Sequence, residues 1–238
     1  MDWLTTPLSG ASQHTLEAWT AWHARLMVLA WGALLPVGAL VARYLKVTPA
    51  QRWPEQLDNR SWWHAHRALQ WAGALATCAG LALAWGQARG DGDAARWHVW
   101  SAWTVLAMGA FQVVSGVLRG SKGGPTDATL RGDHYDMTAH RRWFERLHKS
   151  IGWLAVVGGA IVVGLGLWAA DAPRWMPLAL GLWWAALAAT AVRLQRGGRC
   201  IDTYQAIWGP DPAHPGNRVR PIGWGVRRPA ALPDSEPR

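Results

Sequence analysis

The stretch HARLMVLAWGALLPVGALVARYLK, residues 23–46, decides how the rest of the chain is read. Between residues 26 and 45 it carries one charge, Arg43. About 20 residues rising about 1.5 Å each cross about 30 Å of hydrocarbon, so an apolar run of this length reads as a transmembrane helix. Four further runs, at 68–86, 97–118, 150–170 and 175–192, carry no Asp, Glu, Lys or Arg. The predicted fold is an all-α membrane protein with five transmembrane helices. Pro36 falls inside the first of them. It frees a backbone carbonyl and should kink the helix, which a bundle tolerates where neighbours repair the loss.

A histidine heads the quoted stretch, and three other runs repeat the arrangement. His66 opens HRALQWAGALATCAGLALAWG, His98 opens HVWSAWTVLAMGAFQVVSGVL, and His148 opens HKSIGWLAVVGGAIVVGLGLW. A polar side chain within a bilayer is costly and marks a functional site by default. Successive spans run in opposite directions, so His23 and His98 fall at one depth and His66 and His148 at another. Two imidazoles on different helices at one depth suit axial ligation of a flat haem, with one nitrogen on each side of the iron. Zinc would need three or four ligands in one place, with Cys or carboxylates among them. There is no CxxCH, which excludes covalent c-type attachment. In the HAH of residues 64–66 the two histidines differ by about 200° around a helix. The stripe His66, Gly73, Gly80 assigns the bundle face to His66 and leaves His64 for the interface. The small residues on the ligand stripes, including Ala30, Gly152, Ala155 and Gly159, either give a porphyrin room or let helices approach. His14, His134, His140 and His214 lie outside the spans and are poor ligand candidates.

Half of the chain is hydrophobic, and 20 of its 238 residues are Trp. Trp63, Trp97 and Trp175 sit near the ends of runs, as an interfacial belt requires, while Trp31 and Trp184 lie deeper and are read as packing. The net charge of +9 would suggest nucleic acid in a soluble protein. Here helix alternation accounts for it. All 24 Lys and Arg except Arg25, Arg89, Arg96 and Arg174 fall on the side of loops 1–2, 3–4 and the C-terminal segment. The positive-inside rule then places the N-terminus outside and the C-terminus in the cytoplasm. Nucleic acid is not among the predicted partners. Two cysteines, Cys78 and Cys200, make no disulfide framework. No signal peptide is visible in residues 1–22. The predicted organisation is a short outer tail (1–22), a membrane domain (23–194) and an irregular, Pro-, Gly- and Arg-rich cytoplasmic tail (195–238). The short DAPR loop predicts a tight hairpin of the last two helices. The second half of loop 3–4 predicts a short helix leading into the fourth span.

The residues resemble the cytochrome b561 family, in particular its bacterial members and the haem domain that elsewhere follows DOMON modules. The likeness is carried by residues 23–46, by HRALQ from His66, by His98 followed by Gln112 and Arg119, and by FERLHKSIG around His148. It covers about residues 20 to 170. RGSKGGPTD, RGDHYDMT and DTYQAIWGPDPAHPGN look similar to the bacterial members as well. The resemblance implies two non-covalent b-type haems and electron transfer across a bacterial inner membrane, the first four helices forming the di-haem bundle. Carried over position by position, it pairs His23 with His98 and His66 with His148, as topology does. Many family members have six spans, one more than is counted here. No DOMON module is attached, so the outer electron partner is expected to be a separate molecule.

Four basic residues, Arg67, Arg142, Arg146 and Lys149, gather near the inner pair. Arg67 and Lys149 either meet haem propionates or substrate or reflect the positive-inside rule. Gln70, one turn from His66, can bond a histidine ring, a haem edge or another helix. Asp133, His134, Tyr135 and Asp136 could bind a metal or a reductant, or build a structured loop over the inner haem; the loop is the preferred reading. The partner of the conduit is a redox protein, a quinone or a small reductant. A quinone-linked oxidoreductase is one alternative. A haem-bearing anchor subunit of a larger complex is another, and a homo-oligomer is a third possibility of assembly.

Overall fold

The computed structural model describes residues 3–12, 15–87, 92–124 and 130–229. His14 and Arg89 lie outside the described residues. The described chain is all-α, with isolated β-bridges and no sheet. Its helices are α1 (Ala18–Tyr44), α2 (Ser61–Ala84), α3 (Asp93–Val117), α4 (Ala139–Ala169), α5 (Trp175–Arg196) and the short α6 (Thr203–Trp208). Of these, α1, α3, α4 and α5 are long and apolar enough to cross a membrane, which makes this a multi-pass membrane protein with four candidate spans. The helix α2 is of similar length, 24 residues, but its first turns carry His64, His66 and Arg67.

Two antiparallel hairpins make up the bundle. In the first, α1 lies along α2; in the second, α3 lies along α4. The buried centre gathers Ala30 and Trp31 from α1, Val105 from α3, and Ala155 and Val163 from α4. Trp31 fits because Gly159 faces it: a Cβ there would stand 2.4 Å from the indole. Gly73 and Gly80 serve helix packing in the same way. A Cβ at Gly73 would meet Leu35, and one at Gly80 would meet Met27.

Pro36 acts on α1 as its chemistry demands. The seven residues Val28–Leu34 wind as a π-helix, and the Leu35 N–H donates to the Ala30 carbonyl five residues back. In an α-helix the Gly32 carbonyl would accept from residue 36, which as proline has no N–H to give. Instead the indole N–H groups of Trp183 and Trp184 on α5 donate to Gly32, at 2.9 and 3.2 Å. The loop before α5 is as short as its sequence suggests, yet these hydrogen bonds of α5 go to α1. At its far end Gln195 accepts from Arg43 at 3.0 Å and from the Tyr44 hydroxyl at 3.3 Å. The α4–α5 turn is instead fastened to the N-terminal segment, where Ser9 donates through its N–H and its hydroxyl to Asp171.

Loop 3–4 carries a single helical turn, Asp133–Asp136. Asp133 accepts from Thr138 and Ser121, and Thr138 caps α4 by accepting from the Arg141 N–H. The C-terminal segment departs from the expected irregular chain. After Arg196 it forms α6 and a turn of 3₁₀-helix, Pro215–Arg218. Tyr204 is 1% exposed and Trp208 9%, and with Met137 and Ile222 they form a second apolar core. The segment is tied to the bundle and its loops by hydrogen bonds. Lys46 donates to the Ile201 carbonyl and Lys149 to the Ile222 carbonyl. Trp53 donates to the Gln205 carbonyl, and the Tyr204 hydroxyl to the Tyr135 carbonyl. Within the segment, Arg228 pairs with buried Asp202 at 2.6 Å and also reaches the Gly216 and Asn217 carbonyls. The segment and loop 3–4 together form a folded cap over one end of the bundle.

Candidate functional site

Each of the four histidines is anchored by the other helix of its own hairpin. His23 Nδ1 on α1 lies 2.9 Å from the Gly80 carbonyl of α2, and His66 Nδ1 on α2 lies 3.0 Å from the Gly38 carbonyl of α1. The second hairpin repeats the exchange. His98 Nδ1 on α3 lies 3.0 Å from the Val162 carbonyl of α4, and His148 Nδ1 on α4 lies 3.0 Å from Ser115 Oγ of α3. A carbonyl only accepts, so Nδ1 carries the proton in the first three rings. In the fourth, Ser115 Oγ donates to the Gln112 carbonyl and can accept from His148 Nδ1, which the Gln112 side-chain amide also approaches at 3.0 Å. In the first three rings Nε2 is left as the basic nitrogen. This is the tautomer of a metal-ligating histidine, whose other nitrogen donates to a fixed acceptor.

Across the hairpins the histidines pair by depth. His23 and His98 stand with ring centroids 6.2 Å apart at an interplanar angle of 86°. A metal held by two imidazole nitrogens at about 2 Å each, with each ring centre roughly 1.1 Å behind its nitrogen, requires about 6 Å. These two rings open on an apolar cavity lined also by Met27, Trp31, Leu81 and Val105. Close backbone approach makes the geometry possible: a Cβ at Gly166 would fall 2.9 Å from the His98 ring. At the other end His66 and His148 are anchored at Gly38 and Ser115. The Phe144 ring packs on His148 at 5.0 Å and the Trp63 ring on His66 at 6.1 Å. The His23/His98 spacing therefore fits a bis-imidazole centre, and the same Nδ1 anchoring recurs at His66 and His148. Among the described residues no group of three or more His, Cys, Asp or Glu side chains could hold a separate metal ion.

The depth between the two levels follows from the anchors. His66 and Gly80 mark them on α2, about 21 Å apart along the helix at about 1.5 Å per residue.

The other sequence candidates separate. His64 is exposed, while His66 is part-buried. Gln70 donates to the Leu35 carbonyl at 3.1 Å, so it bonds another helix. Arg67 stacks on Trp63, and Arg119 covers the same indole at 4.0 Å. Burial, and then the guanidiniums of Arg141 and Arg67, lower the pKa of Arg119. Lys149 is engaged by Glu145 at 2.6 Å as well as by Ile222. Arg146 turns onto the exposed Trp143, away from the site. The charge pattern gave no hint of Glu145. It is 3% exposed and stands between Arg141 and Lys149, one turn from His148. His134 is 2% exposed, 3.7 Å from Glu145, and packs on Tyr204 and Trp208. It belongs to the cap, in keeping with the preferred reading of that loop.

No family model matches the chain, and no solved structure does. Two curated proteins are similar to it. One is a cytochrome b561, DM13 and DOMON domain-containing protein of Arabidopsis thaliana, 30% identical over 167 residues, which are 68% of this chain and 16% of that protein. The other is ferric-chelate reductase 1 of Mus musculus, 27% identical over 147 residues, 61% of this chain and 22% of that protein. The chain thus spans less than a quarter of the length of either relative.

Proposed function

Taking as premise that the chain is a cytochrome b561-related membrane protein, we propose that it carries electrons across the membrane through two non-covalent b-type haems. His23 and His98 hold one, and His66 and His148 hold the other. The observation that carries the reading is the fourfold Nδ1 anchoring, which leaves Nε2 as the basic nitrogen in His23, His66 and His98 and does the same for His148 where Ser115 accepts. Bound haem supplies one-electron chemistry at its iron. The chain's own residues fix the imidazole tautomers and ring planes and keep water out of the space between the two levels. Trp31, Val105 and Ala155 fill that space. No Asp or Glu lies between the two histidine levels in any long helix, so electrons cross without a carboxylate proton path.

In this reading α2 is a fifth span, paired with α1 along its length. The cationic, capped end faces the cytoplasm by the positive-inside rule, and the N-terminus faces the periplasm of a bacterial cell. Exposed Arg67 and part-buried Arg119 give the capped end a cationic edge around Trp63, suited to an anionic partner. The partner is a quinone, a small reductant or a redox protein.

The test is a reduced-minus-oxidised spectrum with haem quantitation on the purified protein. The expected result is two low-spin haems per chain, all extracted by acid acetone. Protein that binds no haem when expressed with ample supply refutes the reading. In sealed vesicles with reductant on one side and an impermeant acceptor on the other, transfer should require both haems.

A further inference from the structure

The two histidine levels share α1, and the break in α1 lies between them. On one side of the break His23 is a candidate ligand. On the other, the Gly38 carbonyl accepts from His66 Nδ1 at 3.0 Å. Any change in the π-helical segment Val28–Leu34 rotates or shifts one level relative to the other. The weak point is the Gly32 carbonyl, buried in the bundle and deprived of its helical donor by Pro36. A buried carbonyl without a donor is costly, and a helix relieves the cost by bending or rewinding.

Two indoles from α5 meet this one carbonyl, at 2.9 and 3.2 Å. The fifth helix has no buried residue of its own and no histidine. Its hydrogen bonds to the bundle fall on the break in α1 and on the part beyond it: Trp183 and Trp184 at Gly32, and Gln195 at Arg43 and Tyr44. On the opposite flank Gln70 of α2 donates to the Leu35 carbonyl, four residues before His66 in the antiparallel register. The second half of α1 is therefore held between α2 and α5.

We infer that Trp183 and Trp184 are positioning residues for the His66/His148 centre: their N–H groups replace the donor that Pro36 lacks and so hold the Gly38 carbonyl where His66 needs it. This rests on the two-haem reading above. It gives the fifth helix, which supplies no ligand, a specific task at one centre and none at the other.

The experiment compares the full-length wild type with Trp183→Phe, Trp184→Phe, the double variant, and each of these combined with Pro36→Ala. Phenylalanine keeps an aromatic ring and removes the N–H. Alanine at 36 returns a backbone N–H to the Gly32 carbonyl. The readout is carbon monoxide binding to the reduced protein, which a haem with both axial positions filled resists. The single variants should change little, because the second indole remains. The double variant should bind carbon monoxide at one haem per chain, with the ligand-open form raised by an order of tenfold or more. The His23/His98 haem should keep its low-spin spectrum. Adding Pro36→Ala should restore resistance at the affected centre.

Equal damage to both haems overturns the inference. So does an effect that persists in the Pro36→Ala background, because the indoles would then act through packing alone. A double variant indistinguishable from wild type also overturns it, while wild-type haem content leaves the two-haem reading standing. Wild-type protein without haem refutes that reading instead. In that case hydrogen exchange at the backbone amides that follow residue 32 still tests the hydrogen-bond repair by itself.

Discussion

The two ends of the bundle hold the same pair of imidazoles in different surroundings. At the His23/His98 end both acceptors are backbone carbonyls and the cavity wall is apolar. Exposed indoles, Trp97 and Trp100 among them, surround it. At the His66/His148 end one acceptor is a hydroxyl, two guanidiniums flank Trp63, and a folded cap sits alongside on buried ion pairs. The first end is walled by apolar side chains and helix packing. The second is joined to charged and distant chain, so it depends on charge pairing, on pH and on residues far away in sequence.

The largest effects should fall on the histidines. His66→Ala or His148→Ala should abolish the haem at the capped end and spare the other. His23→Ala or His98→Ala should do the reverse. Reduced-minus-oxidised spectra read this directly. Within a pair the double variant should add little to either single one, since the two ligands act as a unit. If His23→Ala and His66→Ala instead remove the same haem, the pairing is wrong. His64→Ala should change neither spectrum.

Next in size is Glu145→Gln. Glu145 neutralises Arg141 and Lys149 within the cap end, and removing one partner of a buried ion pair costs about 3–5 kcal/mol. Limited proteolysis should then cut the C-terminal segment faster than in wild type, and the haem at that end should be lost at lower temperature. The His23/His98 haem should keep its thermal profile. If both ends lose stability equally, the cap is not an independent device of one end.

The cap also makes the comparison depend on pH. Burial drives the His134 pKa well below 6.5. An opened cap takes up that proton as pH falls below about 6.5 while the folded cap does not, so acid loosens the cap. Burial, and then Lys149, lower the Lys46 pKa from 10.5 to about 8. The opened cap therefore binds more protons between these values, and stability rises with pH from about 8 toward 10.5. Tyr204 works the other way. Burial raises its pKa from 10.0 to about 12, and stability falls as pH climbs through that range. Cap protection against protease should thus weaken in acid, gain through mildly alkaline pH and decline again above about pH 10. His134→Phe should flatten the acid limb.

How far this could be read in advance differs between the ends for a physical reason. The helices, the four histidines, the choice of His66 over His64 and the defect at Pro36 follow from hydropathy and helical spacing, which are local. The repair of Pro36 does not, because Trp183 and Trp184 lie some 150 residues from Gly32. The cap is hidden for the same reason: Tyr204 and Trp208 find their core against Tyr135 and Met137, about 70 residues away, and against Ile222, while Pro and Gly alone suggest irregular chain. Helical spacing puts Gln70 near the His66 face but does not say which of its three possible partners it takes, a carbonyl next to the proline. Glu145 was hidden among basic neighbours whose charge the membrane already explained.

The smallest predicted effect isolates the one anchor that differs between the ends. Three of the four Nδ1 acceptors are main-chain carbonyls, which a side-chain substitution cannot delete. The exception is Ser115, and Ser115→Ala removes it while leaving α3 intact. A donated Nδ1 proton makes the imidazole a stronger ligand toward the oxidised metal. Losing its acceptor should therefore raise the reduction potential at the His148 end. It should also weaken haem retention there by up to about tenfold, the low end for a residue behind a metal ligand. Gln112 reaches the same turn of α4, with its amide 3.0 Å from His148 Nδ1 as well as able to donate to the His148 carbonyl and accept from the Gly152 N–H. Its nearness limits the loss, and a Ser115→Ala/Gln112→Leu double variant should show a larger shift than Ser115→Ala alone. The measurement is a redox titration that resolves the two haems. A Ser115→Ala titration in which the His23/His98 haem moves as far as its counterpart would mean that the hydroxyl acts through the whole bundle, and that the two ends are not separately tuned.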